Sequence, residues 1–209
     1  MLETDYPTPC LAQLTMNTSA APNEAVACFD VPALTDLPED IRERLLATQT
    51  KAGFIPNVMR VLARRPAEFR AFMAYHDALM DGESGLSKAE REMIVVATSG
   101  ANHCLYCVVA HGAILRIRAK NTTIADQVAT NYRQADLTER QRAMLDFAMK
   151  VSRDAANLSD SDRQTARQAG LTGEDLWDIA SIAAFFAMSN RLASATDMKP
   201  NAEFYSMGR

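Results

Sequence analysis

The stretch that decides the fold is SKAEREMIVVATSGANHCLYCVVAH, residues 87–111. It opens with a capping box, in which the Ser87 hydroxyl and the Glu90 carboxylate each bind a free backbone N–H group at the start of a helix. No proline occurs in the 133 residues from 67 to 199, so long helices can run through this region unbroken. We find neither the alternating pattern of β-strands nor a repeat of fixed length. The sequence therefore predicts an all-α, single-domain helical bundle.

Similar signals predict the other helices and divide the chain into three parts. Seven of the eight prolines lie in the first third of the chain, and residues 1–35 show no helical periodicity. We interpret residues 1–35 as an N-terminal arm, a candidate for contact with a neighbouring subunit. Residues 36–199 form the predicted helical domain, and residues 200–209 a C-terminal tail. Besides the helix at Ser87, starts are predicted near Pro38, Asn57, Pro66, Thr138 and Thr172.

The composition argues against nucleic-acid-binding proteins and membrane proteins. The net charge is −4 and the pI is near 5.4, whereas a nucleic-acid-binding protein normally carries a basic excess. The longest apolar run, residues 179–188, has ten residues, well short of the roughly 18 that a bilayer requires. No Lys or Arg precedes Arg42, which argues against a signal peptide. We therefore expect a cytoplasmic protein with no nucleic-acid or membrane partner, and cysteines that serve chemistry rather than structural disulfides.

The chemistry of the chain is concentrated in Cys104-Leu105-Tyr106-Cys107-Val108-Val109-Ala110-His111. On one helix, both cysteines and His111 fall within about 60° of arc. The thiolate is the reactive form of cysteine, and His111 can accept a thiol proton. A helix start just before Cys104, indicated by Gly100 and Asn102, would stabilise the anion through the helix dipole. Two cysteines at i and i+3 can also close into a disulfide, which transfers two electrons.

Other interpretations of these residues remain open. The CxxC pair could be buried and inert, or the stretch could bind structural zinc. The candidate zinc ligands His103 and Cys104 are adjacent in sequence, so their side chains would point about 100° apart on a helix, which makes a tetrahedral zinc site awkward. We expect no metal and no organic cofactor, and we interpret Cys10 and Cys28 as isolated thiols in the arm. The four candidate zinc ligands are His103, Cys104, Cys107 and His111.

Glu92, followed after eleven residues by Cys-x-x-Cys-x-x-x-His, resembles the signature of the carboxymuconolactone decarboxylase-like superfamily. The resemblance is to its alkylhydroperoxidase D-like branch, especially the uncharacterised peroxidase-related members, and covers about residues 35–195. Branches that decarboxylate generally lack the cysteine pair, so both cysteines favour a peroxidase. Further landmarks of the resemblance are Gly53-Phe54-Ile55-Pro56-Asn57, Leu86-Ser87 leading to Arg91-Glu92, Ala169-Gly170-Leu171 and Asn190-Arg191.

The resemblance implies a role for each site residue. Cys107 would attack the peroxide after losing its proton through His111, and Glu92 would complete the proton relay, directly or through a water. Cys104 would be the resolving cysteine, which forms the disulfide with Cys107 and meets the reductant. Tyr106 stands where the best-known members carry a second histidine; a phenol with a pKa near ~10 donates hydrogen bonds but carries protons poorly at neutral pH. We therefore treat Tyr106 as an auxiliary or a packing residue.

This relay makes a demand on the fold. Glu92 and Cys104 are twelve residues apart, or about 18 Å along a straight helix, which is too far for a hydrogen-bonded relay. Residues 99–102 must therefore break the helix and fold its two halves face to face. The alternative is that Glu90, Arg91 and Glu92 are ordinary solvated charges on a helix surface.

The spacing also predicts an asymmetry between the two thiols. His111 is one turn from Cys107 and two turns from Cys104, so we expect Cys107 to have the lower pKa and to be the attacking thiol. The helix dipole favours Cys104, but typically by only about 0.3–1 kcal/mol.

The predicted activity is a thiol-dependent (alkyl)hydroperoxide reductase. Its partners would be a peroxide substrate and a dithiol reductant or redox partner protein. The alternatives are a thiol–disulfide reductase that acts on a protein partner, a redox sensor, and a non-catalytic zinc or helical scaffold. The predicted helix at residues 172–192 is apolar around most of its circumference, which indicates a homo-oligomer. The resemblance implies a trimer or hexamer.

Overall fold

The computed structural model describes residues 25–209, and ten α-helices account for most of this part of the chain. No strand occurs among these residues, so the all-α prediction is confirmed. Cys10 and most of the predicted arm lie outside the described residues. The helices are α1 Glu39–Ala52, α2 Asn57–Leu62, α3 Pro66–Asp81, α4 Lys88–Ala101, α5 Leu105–Ala119, α6 Ile124–Asn131, α7 Glu139–Asp154, α8 Asp160–Gln168, α9 Gly173–Ala195 and α10 Glu203–Ser206.

Local hydrogen bonds set the starts of several helices. Ser87, Thr138 and Thr172 each cap a helix with a reciprocal capping box, at the starts of α4, α7 and α9. Each box satisfies two backbone N–H groups that have no partner within the helix. Ser159 forms a fourth box at the start of α8, a helix whose start the sequence did not reveal. The predicted start near Pro66 is also confirmed, since Pro66 is the first residue of α3.

Helix α4 lies at the centre of the bundle. All ten of its residues from Glu90 to Ser99 are buried, and α5, α6, α7 and α9 pack around it. Because charged groups are costly to bury without partners, those on α4 are paired. The Arg91 guanidinium donates to the carbonyls of Leu79, Gly82 and Leu86. The interpretation of this acidic and basic run as solvated surface charge is therefore wrong.

Helices α4 and α5 form the predicted hairpin, with a different turn from the one expected. Gly100 lies inside α4, and α5 begins at Leu105 with Cys104 as its N-cap residue. The helix start expected near Asn102 is therefore wrong by a few residues. The reversal is made by His103, whose φ of 53° is left-handed. Gly100 serves packing instead, because a Cβ atom there would lie 2.9 Å from the Ala129 carbonyl oxygen on α6.

Both ends of the described chain pack onto the helical bundle, one beside α9 and the other against α5. Residues 25–31, which we call the N-terminal strap, run beside the end of α9. The Cys28 N–H donates to the Thr196 carbonyl (2.8 Å) and the Lys199 N–H to that of Val26 (3.0 Å). At the other end, Arg116 on α5 donates to the carbonyls of residues 204 and 207. The described part of the arm and the tail are thus held by the same chain.

Among residues 25–209, no helix combines the length and the apolar character needed to cross a membrane.

Candidate active site

The hairpin brings Glu92 and His111 into direct contact. The Glu92 Oε2 atom lies 2.8 Å from His111 Nδ1, so no intervening water is needed. Glu92 is 2% exposed, and the His111 ring rests edge-on against Phe186 with a centroid separation of 4.7 Å. A buried carboxylate that accepts from Nδ1 orients the ring and leaves Nε2 as the other titrating nitrogen.

The second carboxylate oxygen of Glu92 faces a cation. Arg118 Nη1 lies 3.0 Å from Glu92 Oε1, and the other terminal nitrogen of Arg118 lies 3.5 Å from Asp81. Arg118 follows His111 by seven residues, which is about two helical turns, so both side chains share one face of α5. The sequence reasoning missed Arg118, although its i+7 spacing from His111 was a signal that could have found it.

The two cysteines are buried side by side at the start of α5. Cys104 is 1% exposed and Cys107 is 2% exposed, and both are free thiols. The Cys104 sulfur caps the helix by accepting from the Cys107 N–H at 3.4 Å. This geometry places Cys104 Sγ at the positive end of the helix dipole, where a thiolate is stabilised.

The two thiols differ in acidity. The pKa of Cys104 is lowered to about 7, first because the Cys107 thiol donates a hydrogen bond to its sulfur; the Cys107 N–H and the Ser194 side chain add to this effect, and burial opposes it. The pKa of Cys107 is raised by the same hydrogen bond, in which Cys107 keeps its proton, and next by burial.

These directions run opposite to the expectation that Cys107 is the more acidic thiol, and that expectation stays a prediction for experiment to test. It was based on the distance along the helix from His111, which is shorter for Cys107. In the folded chain, the hydrogen bond of His111 runs to Glu92, and Cys107 is the donor to Cys104. The positive charge of a protonated His111 also contributes to the lowered pKa of Cys104.

Helix α9 supplies the polar wall opposite the thiols. Side chains of Ser189 and Asn190 form hydrogen bonds that favour the Cys107 thiolate, although they are outweighed by the causes above. Asn190 also donates to the Ser99 hydroxyl and accepts from the Asn102 side chain, both at 2.9 Å. It thereby ties α9 to the turn before Cys104. Asn190 was noted in the sequence only as a landmark of the resemblance.

Tyr106 points away from the relay. Its hydroxyl accepts a hydrogen bond from the Val58 N–H at the start of α2 (3.0 Å). Burial raises the pKa of this phenol, which makes it a still poorer proton carrier. Tyr106 thus anchors α2 to α5, in agreement with a packing residue.

The other two histidines have different surroundings. His103 is exposed in the hairpin turn. His76 on α3 is partly buried beside Phe185 and Phe186, and its Nδ1 lies 3.3 Å from Asp77. Burial lowers the pKa of His76, and the charge of a protonated His111 lowers it further. Among residues 25–209, no group of three or more His, Cys, Asp or Glu side chains is arranged to hold a metal ion.

Comparisons with known proteins agree with this site. The Carboxymuconolactone decarboxylase family model matches residues 66–129, which include the pair of cysteines, Glu92 and His111. A peroxidase-related protein from Ralstonia eutropha JMP134, described as an alkylhydroperoxidase AhpD core, is 59% identical with a TM-score of 0.88, and the match covers 89% of this chain and 98% of that one. This chain belongs to the alkylhydroperoxidase D-like, carboxymuconolactone decarboxylase-like superfamily.

Two further solved structures are similar to this chain. A peroxidase-related protein from Silicibacter sp. TM1040 is 42% identical with a TM-score of 0.85, and the match covers 91% of this chain and all of that one. The debrominase Bmp8 is 21% identical with a TM-score of 0.72 over 90% of this chain and 98% of that one. At that identity the likeness extends to the fold alone. No match was found among curated proteins.

Proposed function

We propose that this member of the superfamily is a thiol-dependent hydroperoxide reductase whose redox-active pair is Cys104 and Cys107. The observation that carries the proposal is the pair of adjacent buried sulfurs, one with a pKa lowered to about 7, beside the contact of Glu92 with His111. A thiol with that pKa is about half ionised at neutral pH, whereas an ordinary cysteine is ionised to only a few per cent. The similarity to chains described as peroxidase-related supports the same conclusion.

The oxidative half-reaction begins at the thiolate. Cys104 Sγ attacks one oxygen of the peroxide, the O–O bond breaks, and Cys104 becomes a sulfenic acid. The released alkoxide takes up a proton from solvent, which balances the proton that Cys104 lost to solvent on ionising, and leaves as the alcohol. His111 then accepts the Cys107 thiol proton, and the Cys107 sulfur attacks the Cys104 sulfur. The S–O bond breaks, hydroxide takes the proton from His111, and water leaves. The peroxide is thus reduced to alcohol and water while the dithiol is oxidised to a disulfide.

The reductive half-reaction requires an external dithiol. A reductant thiolate attacks the Cys104–Cys107 disulfide to form a mixed disulfide, which its second thiol resolves. Both thiols return to the reduced state with the net transfer of two electrons. No metal or organic cofactor takes part in this scheme.

The burial of both thiols favours a small substrate over a protein disulfide. A protein partner must bring its own sulfur within bonding distance of a cysteine that is here at most 2% exposed. This observation supports a peroxidase over a thiol–disulfide reductase or a redox sensor that acts on a protein partner.

The proposal is tested by peroxide consumption with dithiothreitol or dihydrolipoamide as reductant. We expect turnover in the wild type and in Cys28→Ser, which removes the exposed thiol of the strap. We expect no turnover in Cys104→Ser or Cys107→Ser. A single stoichiometric oxidation without turnover would instead indicate a sensor. Reduction of a protein disulfide without peroxide turnover would indicate a reductase.

We also propose that the chain forms a homo-oligomer through α9. Three large apolar side chains on α9 lie within about 60° of arc, and Trp177 is 71% exposed. The small exposed residue Ala184 lies between them on the same face, which permits close approach of a second helix. We call this face the α9 stripe. A second copy of the chain is the proposed partner, and the superfamily resemblance favours a trimer or hexamer. The stripe consists of Trp177, Ala184, Met188 and Leu192.

A further inference from the structure

The contact between Glu92 and His111 raises a problem for catalysis by itself. An opposite charge within about 4–6 Å favours the charged form of a histidine, typically by 1–3 pKa units. A buried carboxylate at 2.8 Å from Nδ1 would therefore hold His111 as an imidazolium. An imidazolium has no free lone pair and cannot accept a thiol proton. The base of the proposed relay thus needs the orientation that Glu92 provides, without the full effect of its negative charge.

Arg118 is placed to offset the negative charge of Glu92. Its Nη1 lies 3.0 Å from Glu92 Oε1, on the side of the carboxylate away from His111. This contact is an ion pair rather than an aligned hydrogen bond. Glu92 is 2% exposed and the Arg118 side chain is 23% exposed, so solvent screens their interaction only weakly. A guanidinium stays charged at every pH at which the protein is folded.

The other groups around His111 do not provide this balance. Burial lowers the pKa of His76, and the charge of a protonated His111 lowers it further, so His76 is a poor source of positive charge for Glu92. Asp81, at 3.5 Å from Arg118, adds negative charge and is itself paired with Lys88 at 2.9 Å. Helix α9 faces His111 with the Phe186 ring. The titratable and charged groups around His111 and its neighbours are His76, Asp77 and Asp81 on α3, Glu92 on α4, Cys104 at the N-cap of α5, and Cys107 and Arg118 on α5.

We propose that Arg118 is a positioning residue that neutralises Glu92, so that the carboxylate orients His111 without holding it as an imidazolium. In this arrangement Nδ1–H is donated to Glu92, and the Nε2 lone pair is free to accept the Cys107 proton. This role rests on the proposed peroxidase for its catalytic use. The charge balance itself is a property of the folded, reduced chain.

The test is a pH titration of His111 in the reduced protein, monitored through the NMR signals of its imidazole ring. This measurement does not require peroxide turnover. In Arg118→Met we expect the pH midpoint of the His111 titration to rise by about one unit or more. Arg118→Lys keeps the charge and should leave the midpoint near that of the wild type. Glu92→Gln removes the carboxylate and leaves Arg118 unbalanced, so the midpoint should fall below that of the wild type.

Arg140→Met is the matched control. Arg140 pairs with the buried Glu90 on α4 at 2.8 Å, so this variant breaks a similar ion pair at a different place. It should destabilise the protein without moving the His111 titration. If Arg118→Met does not fold, Arg118→Gln removes the same charge while keeping a donor for Glu92, and the same rise is expected.

The inference and the proposed function fail separately. The inference would be overturned if the pH midpoint of the His111 titration were unchanged in folded Arg118→Met or Arg118→Gln. This outcome includes the case in which Glu92, rather than His111, takes up the proton. A rise in the midpoint for a wild type that consumes no peroxide would support the inference and refute the peroxidase. If both hold, the acid limb of the pH–rate profile should move upward with the His111 titration in Arg118→Met.

Discussion

At the scale of single residues, Cys104 and Cys107 differ in acidity because the Cys104 sulfur accepts a hydrogen bond and the Cys107 thiol donates it. We expect the rate of thiol alkylation to rise with pH through a midpoint near 7, because the thiolate fraction of Cys104 increases as pH passes its pKa of about 7. The same measurement on Cys104→Ser should lose this midpoint. Persistence of the midpoint in Cys104→Ser would assign the acidic thiol to Cys107.

The same difference predicts where a sulfenic acid accumulates. After peroxide treatment, a dimedone-type probe should label Cys104 in Cys107→Ser, since the thiolate is present and no resolving thiol can remove the product. In Cys104→Ser little label should form on Cys107, because burial raises the pKa of that thiol even without its partner. If Cys107 in Cys104→Ser were labelled as fast as Cys104 in Cys107→Ser, or faster, Cys107 would be the attacking thiol and Cys104 the resolving thiol, as the resemblance implies.

Asn190 is a single residue that joins three elements. Its side chain is 1% exposed and bonds both Ser99 and Asn102. Asn190→Ala leaves these polar groups unpaired, so we expect a loss of about 1–3 kcal/mol in the free energy of unfolding, measured by urea denaturation. Asn157→Ala removes an exposed local bond to Asp154 and should change the stability by less than about 0.5 kcal/mol. Equal losses in both variants would contradict this account.

At the scale of helices, the hairpin of α4 and α5 depends on a close contact with α6. Gly100→Ala places a Cβ atom 2.9 Å from the Ala129 carbonyl oxygen, so α4 and α6 must move apart. We expect a loss of about 1–3 kcal/mol in stability, and a lower peroxide turnover because Cys104 follows this turn. Gly173→Ala is the control, since a Cβ atom there meets nothing within 4 Å. That variant should be neutral or slightly more stable in thermal denaturation.

At the scale of the whole molecule, the α9 stripe should mediate self-association. Light scattering at micromolar concentration should give a mass well above the 23.0 kDa of one chain. Trp177→Glu and Met188→Glu place charge in the stripe and should lower the mass towards one chain. Leu46→Glu changes an exposed apolar residue on α1 and should leave the mass unchanged. A monomeric wild type would refute the oligomer.

The sequence by itself determined the fold class and predicted which residues meet at the candidate site. Both depend on local rules. The capping boxes at Ser87 and Thr138 fix helix starts within four residues, and the spacing of Cys104, Cys107 and His111 places them on one side of a helix. The need for a hairpin also followed from spacing, since Glu92 could reach His111 only if the chain reversed.

Only the tertiary structure decided how these residues act on each other. Which thiol holds the charge depends on the direction of a hydrogen bond between two sulfurs, and on side chains that α9 brings from about 85 residues away. The partner of Tyr106 on α2 and the contact of Arg118 with Glu92 likewise join different helices. Spacing along one helix contains no information about such contacts, because the packing of helices against each other sets the distances and burial that control charge.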